Sequence, residues 1–326
     1  MNSTEPAGTA IRRRPALWGA ALTLVVVSVV VGFRAVGADG MTPVPQALAF
    51  LPWLLVPGGV GLGLAALARW RTGMVWAAVV LALIVWFLRP YGPGSTGAHG
   101  PVLARLSVLT SNVEFGGATD ALITTVRRAR PDIVFVEECD FHCADALAAR
   151  VPHTAYPYRN VVRLDGSLGS AILSRHPLRL TGGIDGVMAM PGSVAVVAGQ
   201  DVRLQLAHPM PPIPGMVGGW RTELGRVRDF AAGSKGSPTI VAGDFNASQD
   251  HAAFRAVLDA GGLHDSARVA GASRTYSWPA DRSTPLRTQI DHVLVSDDFS
   301  VRSARFLRLD GTDHRALHVG LDLHAG

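Results

Sequence analysis

The sequence predicts an α/β domain built on two sheets and preceded by three transmembrane helices. Three observations predict it. Residues 16–88 hold three long apolar runs, and the sequence after them has ordinary soluble character. Beyond residue 101, short β-branched runs alternate with helical patterns. Polar residues recur at the ends of those predicted strands from Asn112 to His314. That is how an α/β domain gathers one site from distant sequence.

The 326 residues carry a formal net charge of +5. Seven of the 30 basic residues (Arg12, Arg13, Arg14, Arg34, Arg69, Arg71 and Arg89) and two of the 25 acids (Glu5 and Asp39) lie in residues 1–89. The remainder is therefore neutral, so the soluble part lacks the overall basic footprint of non-specific duplex binding. A local basic patch is compatible with that balance.

The first 89 residues read as a membrane anchor with helices over about 16–36, 47–68 and 73–88. The first two runs have the ~20 residues needed to cross a hydrocarbon core. The third is shorter, but Arg71 and Arg89 can snorkel at its ends. Pro52 and Pro57 are tolerated in a membrane helix and can kink it. Placing Arg12–Arg14 with Arg69 and Arg71 in the cytoplasm puts the N-terminus inside. Three crossings then deliver the rest of the chain outside the cytoplasm, as a multi-pass protein of the cell membrane. The first run is read as retained because two more spans follow it. Residues 90–101, rich in Gly and Pro, read as a flexible linker. The domain proper spans 102–326.

The domain begins with a strand, Leu103–Leu109, that leads to Asn112. Asp120–Arg130 follows as a helix, with Ala121, Leu122, Val126 and Ala129 on one face. Ile133–Val136 is a second strand, ending at Glu137 and Glu138, which face opposite ways in extended chain. Cys139 and Cys143 come next. Outside the cell a disulfide between them is permitted; two independent thiols are the alternative. With His142 they are too few for a structural zinc site.

Ser170–Ser174 is a buried strand. Val194–Ala198 and Val202–Ala207 read as a hairpin whose second strand ends at His208, a candidate for phosphate contact or proton transfer. The apolar loop Pro209–Gly219 is a candidate substrate wall or bilayer contact, and Trp220–Ala232 reads as a helix. Ile240 and Val241 form a buried strand that Gly243 turns. Asp244 and Asn246 follow, two apart and so on one side of extended chain. Such a pair can hold a hard cation, a water or a phosphate oxygen. Ala252–Leu258 is a short helix, and Thr275–Pro279 brings aromatics near the next strand. That strand, Gln289–Ser296, carries Asp291. Asp313 and His314 set an acid beside an imidazole just before the last strand, Ala316–Leu323.

Gly243-Asp244-Phe245-Asn246, Ile290-Asp291-His292 and Asp313-His314, with Ser111-Asn112 and Val136-Glu137-Glu138 in support, resemble the endonuclease/exonuclease/phosphatase superfamily over about Leu103–Leu323. The resemblance implies a four-layer α-β-β-α sandwich and metal-dependent hydrolysis of a phosphoester, with Mg²⁺ as the cofactor and Mn²⁺ as its alternative. It implies that Asn112, Glu138 and Asp313 serve the metal. Asp244 would position or deprotonate the attacking water, and Asn246 would hold a non-bridging oxygen. Asp291 would orient His314 on the phosphate, and His208 would contact the phosphate or act as an acid. The implied substrates are a lipid headgroup, a small phosphoester or nucleic acid. An extracytoplasmic nuclease is one alternative, and a non-catalytic binding or sensing module on the same fold is another. The implied partners are that substrate and, through three helices, the bilayer; no protein partner is inferred.

Overall fold

The structure, a computed structural model, describes residues 7–281 and 284–325, with side chains from residue 14 onward. Glu5 and the side chains of Arg12 and Arg13, which carry part of the predicted N-terminal charge pattern, lie outside the described residues. The chain divides into two compact units, Met1–Arg89 with Asp250–Ala252, and Pro90–Gln249 with Ala253–Gly326.

The first unit holds α1 (Ala7–Ala35), α2 (Val44–Ala49), α3 (Leu55–Leu67) and α4 (Arg71–Phe87). Among the described residues one helix is long and apolar enough to cross a membrane, Arg14–Ala35, with 22 residues and a mean hydropathy of 2.3. That corrects the expectation of three full spans. The second run does not form one helix. Pro52 has no N–H to continue the ladder from α2, so the chain restarts as a 3₁₀ turn at Leu51–Leu54 before α3. The third run gives the 17 residues of α4, about 25 Å of helix against a core of about 30 Å. Val27 and Val31 of α1 bury against Val80 and Ile84 of α4. Gly61 lets α3 approach α1 closely, since a Cβ there would sit 2.9 Å from Leu24.

The second unit contains β1 (Val102–Asn112), α5 (Thr119–Ala129), β2 (Ile133–Glu137), α6 (Phe141–Arg150), β3 (Tyr158–Val162) and β4 (Ser170–Ser174). It continues with β5 (Leu178–Ile184), β6 (Met190–Val197), β7 (Gln200–Ala207), α7 (Val217–Gly233), β8 (Thr239–Asp244) and α8 (Ala252–Gly261). It closes with β9 (His264–Asp265), α9 (Ser266–Val269), β10 (Asp291–Val295), β11 (Phe299–Arg308) and β12 (Arg315–His324). One sheet runs β11-β12-β1-β2-β4-β3 and the other β5-β6-β7-β8-β10-β9.

The period-two alternation of the strands builds the layers. Ile133 and Phe135 point inward with Leu106 and Val108, meeting Leu204, Leu206, Ile240 and Ala242 of the other sheet. Val134 and Val136 point outward to Leu122 and Val126 of α5 and Leu147 of α6. On the far side Val241 and Leu294 meet Trp220 and Leu224 of α7 and Phe254 of α8. The result is two mixed sheets face to face with helices outside both. The central strands β2 and β8 are buried along their whole length, which is why they read as unbroken apolar runs.

Two expectations about the chain path are corrected. Residues 90–101 are no free tether. Tyr91 N–H donates to Gln249 Oε1 at 2.8 Å, its hydroxyl donates to Asp259 at 2.7 Å, and Gly97 N–H donates to Asp297 at 2.8 Å. Gly243 does not turn the chain, because β8 runs on through Asp244. Its φ is +148°, and a Cβ there would lie 2.0 Å from the Ala207 carbonyl oxygen of the parallel strand β7. Gly243→Ala therefore forces β7 and β8 apart. It is expected to cost about 3 kcal/mol or more, read as a lowered urea midpoint; an unchanged midpoint contradicts this packing.

Candidate functional site

Pairing direction brings the candidate residues to one edge. β1 and β2 run parallel, with Asn112 opposite Glu137. β7 and β8 run parallel, with Ala207 opposite Gly243. β10 runs against β8 with Asp291 opposite Asp244, and β12 runs against β1, so Asp313 and His314 enter beside the end of β1.

The side chains meet there. Asn112 Nδ2 donates to Glu138 Oε1 at 3.0 Å and to Asp244 Oδ2 at 3.2 Å. Glu138 stands in the left-handed region, φ 56°, which turns it off the strand line and lets Oε2 accept from Phe115 N–H at 3.1 Å. The turn is pinned from behind. Cys139 and Cys143 form a disulfide, and Asp140 caps α6 by accepting from Cys143 N–H. His314 Nδ1 lies 3.0 Å from Asp291 Oδ2. His314 Nε2 lies 3.7 Å from Asp244 Oδ2 and 3.6 Å from Asp313 Oδ1. His208 is buried, with Nε2 3.8 Å from Glu138 and 4.0 Å from Asp244.

Asn246 joins by a different route from the expected alternation. Its φ is 47°, so it is not in extended chain. Its N–H donates to Asp244 Oδ1 at 2.8 Å, and Nδ2 donates to the Pro209 carbonyl at 3.0 Å. One side-chain N–H is thus held by the loop that follows His208.

The electrostatics follow from crowding acids in a buried place. Burial alone would lower the pKa of His314, but the carboxylates of Asp291 and Asp244 push it up to about 10. Burial raises Asp244; the His314 charge partly counters this, Asp291 adds to it, and the result is about 7. Burial and the charge of His314 drive His208 down to about 3, leaving it neutral. Glu137 is wholly buried beneath the edge, accepts from Thr110 Oγ1 at 2.8 Å, and is pushed well up by burial.

Several contributors went unread in the sequence. Glu114 N–H donates to Asn112 Oδ1 at 2.9 Å, while its Oε2 accepts from Asp313 N–H at 2.6 Å. Glu114 therefore ties the first and last segments of the site; its signal was its place two residues after Asn112. Trp278 Nε1 donates to Asp313 Oδ2 at 2.7 Å. Ser277 Oγ accepts from the N–H groups of Ile290 and Asp291. Thr312 Oγ1 donates to the Asn112 carbonyl at 3.0 Å. Trp278 lies in the aromatic stretch expected near this strand, whereas no local sequence pattern marks the roles of Ser277 and Thr312.

The donor chemistry fits a hard divalent cation: four carboxylates and a carboxamide converge, and Asp291 Oδ1 is buried without a hydrogen-bond partner. Among the described residues, Asp244, Asp291 and His314 form the one group of three His or acid side chains with donor atoms all within 4.8 Å. A protonated His314 has no lone pair to offer, so that trio reads as a charge-balanced His314–Asp291 dyad with Asp244 as the second acid.

Residues 109–314 match the Endonuclease/Exonuclease/phosphatase family, and the chain belongs to it. Members of that family are in general hydrolases of phosphoesters and typically use a divalent metal. No curated protein matches the sequence. Among solved structures, D. rerio TDP2 humanized by 14 mutations superposes with a TM-score of 0.54 at 18% identity, covering 67% of this chain and 99% of that one. The human Nocturnin catalytic domain with bound sulfate gives 0.52 at 15% identity, covering 69% and 96%. A family member from Bacteroides thetaiotaomicron gives 0.51 at 18% identity, covering 68% and 99%. At these identities the likeness is one of fold.

The three shifts predict how stability depends on pH in chelator. The raised His314 favours the folded state below about 6.5, and that contribution is lost as pH rises through about 10. The lowered His208 favours folding above 6.5 and less as pH falls toward about 3. The raised Asp244 opposes His208 between 3.8 and about 7, where the folded state keeps a proton that the unfolded state has released. Unfolding free energy should therefore fall between pH 7 and 10, His314 contributing a slope of at most about 1.4 kcal/mol per pH unit and the raised Glu137 acting in the same direction. His314→Gln should flatten that fall in urea titrations. A flat or rising wild-type limb contradicts a charged His314.

Proposed function

We propose that this chain is a membrane-anchored, Mg²⁺-dependent phosphoesterase whose catalytic domain lies outside the cytoplasm. The observation that carries the reading is Asp244, held by Asn112 and Asn246 beside a charged His314. A carboxylate poised near pH 7 suits the removal of a proton from water. His314, fixed by Asp291, brings positive charge to where a phosphoryl oxygen gains negative charge. Neutral His208 can donate from Nε2 to another oxygen of the same group, and Asn246 can offer its remaining N–H. Asn112, Glu138 and Asp313 would hold the cation, which neutralises phosphate charge and polarises the phosphoryl group. The hydrolysis is an in-line attack by water.

A neutral domain and an apolar anchor favour a lipid headgroup or a small phosphoester. The nuclease reading draws on the fold neighbour D. rerio TDP2, solved with a single-strand DNA product. The full chain in detergent should hydrolyse one class among plasmid DNA, RNA, sphingomyelin, phosphoinositides and bis-p-nitrophenyl phosphate when Mg²⁺ or Mn²⁺ is present. Asp244→Asn should lower kcat/KM at least about 10³-fold, a loss of some 4 kcal/mol in transition-state binding. A folded protein that binds Mg²⁺ yet turns over nothing would move the reading to a non-catalytic binding module.

For the anchor, α1 is the candidate span, and the apolar outer faces of α1, α3 and α4 suit contact with lipid. Trp18 and Leu22 of α1, Val56 and Val60 of α3, and Val75, Val79 and Trp86 of α4 are exposed. Helices apolar on both inner and outer faces suit a lipid surround. The N-terminus is then cytoplasmic. In intact spheroplasts of an expressing host, added protease should digest the C-terminal domain; protection until lysis would reverse the orientation.

A further inference from the structure

One carboxylate outside the reactive edge is placed in an unusual way. Glu223, on α7, is 4% exposed. Its Oε1 accepts from Val187 N–H at 2.9 Å, and its Oε2 accepts from Met210 N–H at 2.7 Å. Among the described residues no cation pairs with it. Two backbone donors from segments 23 residues apart in sequence therefore hold a buried acid. Both bonds are of the charge-assisted kind.

The two segments border the site. Met210 lies two residues after His208, and the intervening Pro209 carbonyl accepts from Asn246. Val187 lies in the loop between β5 and β6. That loop reaches across to the other sheet, where Ala189 N–H donates to the Leu168 carbonyl and Ser170 Oγ donates to the Ala189 carbonyl, both at 3.0 Å. Ser170 stands opposite Glu137 in the sheet, and Cys139 N–H, one residue past Glu138, donates to the Gly169 carbonyl. The loop thus runs from the Glu138 side of the site to the His208 side. α7 grips it twice, since Arg226 donates to the Asp185 carbonyl at 2.7 Å. One turn before Glu223, Trp220 Nε1 donates to the Asn246 carbonyl at 3.1 Å.

We infer that Glu223 is a positioning residue that clamps the Asp185–Val187 loop to the His208–Met210 segment and so fixes the wall against which the substrate's non-phosphate part rests. Trp220, Glu223 and Arg226 recur every three residues and so lie along one face of α7. From that face the helix holds the wall without touching the reacting atoms. The kinetic consequence rests on the phosphoesterase reading; the clamp itself does not.

Glu223→Gln tests it. The amide keeps one acceptor oxygen and places an NH₂ group against the other backbone N–H, so one segment is released at nearly constant volume. Hydrogen exchange on the full chain should show the Val187 or Met210 amide, or both, exchanging at least about tenfold faster, with Ile240 and Val241 of β8 unchanged. Glu223→Asp, which keeps both oxygens on a shorter stem, should fall between. In steady-state kinetics on the substrate found by hydrolysis, Glu223→Gln should raise KM at least about fivefold and change kcat by less than threefold. Wild-type exchange at both amides overturns the clamp, and so does equal acceleration of β8, which signals general loosening. Faster loop exchange with kcat and KM falling together leaves Glu223 a structural residue and overturns the wall. If the wild type hydrolyses nothing, the exchange result still decides the clamp, and the failure belongs to the phosphoesterase reading.

Discussion

Acids gathered at one end of the two facing sheets are the constraint on which the rest of the structure depends. Glu138, Asp244, Asp291 and Asp313 converge there, and the wholly buried Glu137 lies beneath. Uncompensated, so many carboxylates would repel one another and lose hydration. Within the chain the compensation is one imidazolium. His314 lies within 4 Å of three of those acids. Holding that ring requires Asp291 to be fixed, which is why Ser277 accepts two consecutive N–H groups there. It also requires Asp313 to be fixed, which Glu114 achieves at its backbone N–H and Trp278 at its carboxylate. The charge that remains is a reason for the site to take a divalent cation.

This crowding is possible because strand direction delivers it. Two parallel pairs end side by side, one in each sheet, and two antiparallel neighbours begin where they end. Each strand then contributes one or two side chains at its terminus, where the backbone is released from the ladder. Left-handed residues at the exits, Glu114, Glu138 and Asn246, turn those side chains off the strand line. Gly243 serves the same edge from inside the sheet, because its missing Cβ lets β7 and β8 pair close enough for His208 to reach Asp244.

The reacting edge was legible in the sequence because its residues flank apolar strand runs, and such runs announce where a strand starts and stops. Asn112 and Asp244 end such runs, and Asp291 and His314 stand at or just before the start of one. What holds them does not. Glu114, Ser277 and Thr312 are ordinary loop residues whose roles come from contacts spanning many residues of chain. The contacts of residues 90–101 are hidden for the same reason: Gly and Pro are common there, but Tyr91 and Gly97 find partners at residues 249, 259 and 297. The second apolar run was misread for the opposite reason. Its hydropathy is uniform, while the break at Pro52 is a matter of one missing N–H.

These two kinds of legibility separate chemistry from selection. The strand-end residues belong to a fold shared with proteins at 15–18% identity, and a shared fold fixes where strands end. Loops such as the one between β5 and β6 and the segment after His208 are in general less constrained by a shared fold than strands are. Those are held from α7 by side chains of this particular helix. On the proposed phosphoesterase reading, the phosphate would be common to every substrate, and the wall held by Glu223 would distinguish what it is esterified to. On that reading the substrate question turns on the loop around Val187 and the segment around Met210, whose N–H groups the buried Glu223 carboxylate joins.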